Sequence, residues 1–230
     1  MSAARGFMLA DLDVFDQAEY DKFRAVALPS VELHGGRYIV RGGRCQRLEG
    51  TREWHRLVGL EFPSLNAVRG WYVSDEYQAL KTQRLQGART DLLFVEETPG
   101  AGLAPVTAPA GAAPPDAATG TAAANSPPAY LIVDVEIHDL ETFREYSAGS
   151  PLAIAGAGGR YLSRGGPFEV TEGTWQPSRL VFVEFPSWDV LQRWYFGDEY
   201  QALARLRQSC STTQMVAVEG VPAEGVARRG

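Results

Sequence analysis

Along residues 7–14 (FMLADLDV), Met8, Ala10, Leu12 and Val14 alternate with Phe7, Leu9, Asp11 and Asp13, the two-residue period of a strand with one wholly apolar face. Asp16 followed by Glu19 has the form of a capping box. Behind it, Tyr20, Phe23, Ala27 and Val31 make a stripe at helical spacing that stops at Gly35-Gly36. Pro29 predicts a kink in the second half of this helix. RYIVRGG (37–43) reads as a strand with Arg37, Ile39 and Arg41 on one face and Tyr38 on the other, toward the helices. It breaks at a bulge or tight bend at Gly42-Gly43 and resumes over 45–48. RLVGLEF (56–62) is a further strand, ended by Pro63 and followed by Ser64 as the cap of a second helix carrying Leu65, Val68, Trp71 and Tyr72. Another helical turn starts at Asp75, and DLLFVEE (91–97) is the last strand. The order is βαββαβ, a ferredoxin-like α+β unit. A four-stranded antiparallel sheet with both helices on one face needs a cover for the other.

The chain supplies that cover itself. Residues 6–96 align with 129–219 at a constant offset of 123 without a gap. GGRYIVRGG (35–43) faces GGRYLSRGG (158–166), RLVGLEFPS (56–64) faces RLVFVEFPS (179–187), and WYVSDEYQAL (71–80) faces WYFGDEYQAL (194–203). Two tandem domains are predicted, 1–98 and 129–221, packed sheet to sheet inside one molecule. The Ala/Pro/Gly-rich stretch 99–128 reads as a flexible tether, and 222–230 as a disordered tail.

Composition narrows the partners. A formal charge of -6 and a pI near 5.2, with basic residues scattered among acids, disfavour nucleic acid. No apolar run is long enough to cross a bilayer, and the beginning of the chain meets Asp11 before a signal-peptide core could form, so the expected compartment is the cytoplasm, with no membrane partner. Cys45 and Cys210 occupy non-equivalent repeat positions, which gives no support for a disulfide framework or a thiolate metal site. Arginine outnumbers lysine by 20 to 2, a bias of GC-rich bacterial coding sequences. No GxGxxG opens a helix and no P-loop is present, so no nucleotide or flavin cofactor is indicated.

The segments GGRYIVRGG, EFPS and WY..DEYQAL, present in both halves, resemble the domain of unknown function 1330 family within the dimeric α+β barrel superfamily. The resemblance covers about 90 residues of each half. It implies an intramolecular dimeric α+β barrel, monomeric or weakly dimeric, with an internal pocket. The superfamily includes cofactor-free monooxygenases, polyketide cyclases, lactone isomerases and haem enzymes, so the resemblance implies a pocket rather than one reaction. The chain departs from the family pattern before the double glycine, where an aromatic is usual and His34 and Ala157 stand.

Two kinds of residue are candidates for chemistry. On the strands, Asp11, Arg37 and Arg41, with Asp134, Arg160 and Arg164 as counterparts, either pair across the sheet interface or divide the work of holding an oxyanion and moving a proton. His34, which occurs in one half only, is either a solvent-facing helix end or a general base. Tyr38, Trp71, Tyr72, Tyr161, Trp194 and Tyr195 form core, or line a small-molecule pocket if one opens there. The leading reading is an enzyme of bacterial secondary or catabolic metabolism that works by acid/base chemistry without an organic cofactor. It would be a cyclase, isomerase or oxygenase acting on an aromatic or polyketide-like substrate. A non-catalytic binding pseudo-dimer is the alternative, and a haem protein using His34, His55 or His138 is the third reading.

Overall fold

The computed structural model describes residues 4–98 and 126–222. The tether expected at 99–128 falls mainly outside them, as does most of the tail. In the first half, β1 (Gly6–Val14), α1 (Gln17–Leu33), β2 (Arg37–Arg41), β3 (Cys45–Glu49), β4 (Arg56–Phe62), α2 (Leu65–Val73), α3 (Asp75–Arg84) and β5 (Ala88–Glu96) follow one another. The second half repeats the order as β6 (Ala129–Ile137), α4 (Leu140–Gly156), β7 (Arg160–Arg164), β8 (Phe168–Glu172), β9 (Leu180–Phe185), α5 (Trp188–Phe196), α6 (Asp198–Cys210) and β10 (Ser211–Glu219).

Each sheet has five strands rather than the four expected, in the orders β2-β4-β1-β5-β8 and β3-β10-β6-β9-β7. The fifth strand of each comes from the other half. The short strand after each double glycine leaves its own sheet: β3 pairs antiparallel with β10, and β8 with β5. The glycines allow the crossing. Gly42 has φ +68°, and a Cβ on Gly43 would lie 2.6 Å from the carbonyl oxygen of Glu219 in the other half.

Both faces of β1 are buried, which explains its apolar character on alternate sides. Met8, Ala10 and Leu12 pack under the helices, while Phe7 and Leu9 join Ile39, Val40, Leu93, Tyr130, Phe182 and Val218 between the sheets. The result is four layers, helix, sheet, sheet and helix, with the Phe7 and Phe182 rings edge to face at 5.5 Å near the centre.

Local signals behave as chemistry dictates, with two corrections. Asp16 caps α1 through the amides of Ala18 and Glu19, but Glu19 does not reach back; it pairs with Lys22 at 2.6 Å. Pro29 lies inside a helix that runs on to Leu33. More important for the site, the pairing of β2 with β4 slips between Tyr38 and Val40, so Ile39 and Val40 both enter the inter-sheet core. Arg41 therefore emerges on the same side as Tyr38, contrary to strict alternation. Arg164 and Tyr161 do likewise after the equivalent slip.

Candidate functional site

A cleft opens on the helix side of each sheet. The first, beneath α1 and α3, is lined by Tyr20, Arg24, Tyr38, Arg41, Trp71, Tyr77, Arg84 and apolar strand residues. Its counterpart beneath α4 and α6 includes Tyr146, Ser147, Ser150, Tyr161, Arg164, Trp194, Tyr200 and Arg207. Each holds a cavity of about 40 Å³ beneath a mouth open to solvent. That is room for about three waters. Three arginines and no carboxylate or imidazole line each cleft.

The floor of each cleft holds an arginine that sequence reasoning missed. Arg84 and Arg207 are 2% and 1% exposed. Arg84 donates to both oxygens of Glu172, on β8, at 2.8 and 2.7 Å and also bonds Thr90. Arg207 donates to Glu49, on β3, at 3.0 and 2.5 Å and to Thr213 at 2.6 Å. Each cleft thus borrows its counter-charge from the other half through the exchanged strand. Burial works against the Arg84 charge, but Tyr77 and Glu172 beside it more than offset this and raise its pKa. For Glu172, burial pushes the other way, yet Arg84, Tyr72 and Lys81 hold its carboxyl below the usual range. The readable signal was an arginine retained in both copies on the apolar stripe of a helix, at Tyr77 and Arg84 and again at Tyr200 and Arg207.

The sequence candidates fall into three places. Tyr38, Arg41 and Trp71, with Tyr161, Arg164 and Trp194, line the clefts. Arg41 stacks over the Tyr38 ring at 4.6 Å, and burial raises the Tyr38 phenol to about 12, partly countered by Arg41. Trp71 donates its indole N–H to Ser30 at 3.0 Å, a partner that Trp194 lacks because Ala153 stands at the equivalent position. Tyr72 and Tyr195 instead reach across the halves, donating to Glu172 and Glu49, both at 2.9 Å.

Arg37 and Arg160 lie on the outside, paired with Glu61 and Glu184 at 3.0 and 2.6 Å. His34 caps the end of α1 with its Nδ1 3.0 Å from the Ser30 carbonyl oxygen and does not line the cleft. Asp11 and Asp134 face the inter-sheet space and hold its loops. Asp11 accepts from the His55 amide at 2.8 Å and Arg52 at 3.2 Å. Asp134 accepts from the Ser178 amide at 2.9 Å and the Trp175 indole at 3.2 Å. At this barrel mouth Arg52 also meets Asp91 at 2.7 Å and lies between Trp54 and Trp175, 4.7 and 4.6 Å from their rings.

Neither His55 nor His138 lines a helix-side cleft; His138 Nε2 sits 2.7 Å from Thr212 Oγ1. The clefts therefore offer a haem no axial histidine. Among the described residues, no three His, Cys, Asp or Glu side chains gather at metal-ligand spacing. Both cysteines are free thiols, Cys45 exposed and Cys210 buried. Nor is any helix among the described residues long and apolar enough to cross a membrane.

The model of the domain of unknown function DUF1330 matches residues 5–98 and again 128–221. No curated protein matches the chain. Among solved structures, a protein carrying the provisional name of chlorite dismutase is 8% identical with a TM-score of 0.52, and 97% of each chain is covered. A protein from Fusobacterium nucleatum, provisionally named a monooxygenase, is 11% identical with a TM-score of 0.50, covering 96% of this chain and 94% of its own. At these identities the likeness is one of fold, the dimeric α+β barrel.

Proposed function

We propose that this chain, which belongs to the DUF1330 family in both of its halves, binds a small aromatic or polyketide-like anion in a helix-side cleft and transforms it without an organic cofactor. The observation that carries the reading is the lining: arginines and phenols around an apolar, aromatic slot with no carboxylate among them. Such a slot selects flat guests that carry a carboxylate, enolate or phenolate. Arg41 presents a fork of donors to that oxyanion and, with no carboxylate in the lining to neutralise it, supplies the positive charge that lowers the pKa of an acidic C–H or O–H held beside it. The proton lost from carbon leaves to water at the mouth. Tyr38, neutral at working pH, protonates the enolate at another carbon and is reprotonated from water, which is an isomerisation; in a cyclisation the enolate carbon instead bonds to a carbonyl carbon of the same molecule, whose oxygen takes the C=O π pair and a proton from Tyr38. If dioxygen meets the same held enolate, it is the oxidant: it takes the carbanion's electron pair to form a C–O bond and, protonated from water, leaves a hydroperoxide on that carbon. Such reactions belong to bacterial secondary and catabolic metabolism.

The absence of an imidazole or carboxylate from the lining favours the second reading, a non-catalytic binding protein. NMR of enolisable aryl ketones incubated with the protein in deuterated buffer separates the two. Catalysed exchange of the acidic C–H, slowed about tenfold or more in Arg41→Gln and Tyr38→Phe, supports an enzyme. Ketones that bind but do not exchange or turn over leave a binding protein.

A further inference from the structure

The two clefts share a frame but differ in how their polar groups are occupied. In the second cleft the Tyr161 hydroxyl is hydrogen-bonded to Ser150 at 3.2 Å. Arg164 donates to the carbonyl oxygen and the hydroxyl of Ser147 at 2.5 and 2.8 Å. The Tyr146 phenol lies against Tyr200 and within cation–π reach of Arg207, whose guanidinium is 5.7 Å from its ring.

The first cleft lacks the hydroxyl and phenol partners and keeps only the carbonyl contact, at a longer distance, because the residues at the offset of 123 are different. Ala27 stands for Ser150, Arg24 for Ser147 and Phe23 for Tyr146. Among the described residues no hydrogen-bond partner meets the hydroxyl of Tyr38 or Tyr77, and Arg41 has only a 3.5 Å contact with the Arg24 carbonyl oxygen. Arg24 adds a further cation at the rim.

Resting on the function proposed above, we infer that the first cleft alone is the ligand site. It takes one planar aromatic monoanion, the carboxylate or phenolate on Arg41 and a second polar substituent on Tyr38, while the second cleft, whose Tyr161, Arg164 and Tyr146 already have partners within the protein, serves as scaffold. Polar groups in an apolar slot that the protein leaves to water gain a net hydrogen bond from a guest that displaces that water. Those already paired gain nothing by exchanging one partner for another. Two N–H groups of the second cleft stay without a partner, the Trp194 indole and Arg207 Nε, both buried from solvent; Arg84 Nε in the first cleft is unpartnered in the same way, so the arginine does not distinguish the two.

Calorimetric titration of the full chain with salicylate, a flat carboxylate bearing a phenol, tests the inference. The expected result is one equivalent bound. Arg41→Gln, and independently Tyr38→Phe, weakens binding about tenfold or more, and Arg164→Gln leaves the isotherm unchanged. Two equivalents, each lost to the arginine of its own half, overturn the inference and leave the proposed function standing. So does a single equivalent lost in Arg164→Gln. No binding of salicylate, benzoate or 1-hydroxy-2-naphthoate by the folded wild-type protein overturns both.

Discussion

The barrel mouth and the first helix-side cleft are built from the same materials, arginine against aromatic rings, and use them in opposite ways. At the mouth, Arg52 meets two carboxylates and two indoles, and Asp11 beneath it accepts from Arg52 and a loop amide. In the cleft, Arg41 lies over the ring of the buried Tyr38 and reaches only the Arg24 carbonyl oxygen, at 3.5 Å, while the Tyr38 hydroxyl has no protein partner among the described residues. A cluster whose charges are paired is a clamp even where single N–H groups, here Arg52 Nε and Trp54 Nε1, stay without a partner, whereas a cation and a phenol left unpaired in an accessible slot are a place for a guest. Mutations at the mouth should therefore cost stability and spare binding, and those in the cleft the reverse.

The largest expected effect is at the mouth. Arg52→Ala takes the arginine from Asp11, whose side chain is 2% exposed, leaving it His55 Nδ1 at 3.6 Å, and removing one member of a buried pair costs about 3–5 kcal/mol. Chemical denaturation should show that loss with salicylate affinity unchanged in the folded fraction; a loss below 1 kcal/mol, on the order of a surface pair, would mean the clamp is ornamental. Glu172→Gln leaves the 2% exposed Arg84 unbalanced and should cost slightly less, about 2–4 kcal/mol, since an amide oxygen still accepts one bond.

Acid acts on the same pair. The carboxyls of Glu172 and Asp91 are held below their ordinary values in the folded chain, in each case against burial, Glu172 chiefly by Arg84 and Asp91 by Arg52 and two loop amides. Their contribution is complete above the unfolded carboxylate range and disappears as pH falls through the lowered values. The melting temperature of the wild type should drop across that acid window. In Glu172→Gln the drop should be shallower, and an unchanged slope would remove Glu172 from the account. Conversely, the raised Tyr38 phenol favours the folded state fully below pH 10 and progressively less as pH rises toward about 12.

Smaller effects lie in the cleft. Arg24→Ser with Ala27→Ser gives the first cleft the partners found in the second, and should weaken salicylate binding severalfold, by about 1 kcal/mol, without lowering the melting temperature. Unaltered binding would show that pairing is not what separates the halves. His34→Ala should shift stability by no more than about 0.5 kcal/mol and leave binding intact; a larger change in affinity would bring His34 back into the site.

The repeat, the element order and the sheet-to-sheet arrangement were legible because period and turn chemistry are local and the duplication printed each signal twice. The exchange of β3 and β8 was not. CQRLE and FEVTE carry no strong alternation, and a short strand's choice of neighbour is decided by the other half's edge rather than by its own residues. In the cleft, Tyr38 and Trp71 were visible as aromatics facing the helices. Arg41 was placed on the wrong face because one bulge reverses every side chain after it. Asp11 looked like chemistry because a carboxylate on a strand is rare. Its partners are loop amides and Arg52, which only the folded chain brings to it. Arg84 escaped notice because an arginine at the end of a polar helix reads as solvent-facing until the glutamate from the other half is in place.

The most direct measurement is a crystal structure of the full chain grown with salicylate. The account predicts one molecule per chain in the first cleft, its carboxylate on Arg41 and its hydroxyl within hydrogen-bond distance of Tyr38, with the second cleft unchanged. Density at the Arg52 mouth, in the second cleft, or in neither cleft at saturating ligand would contradict it.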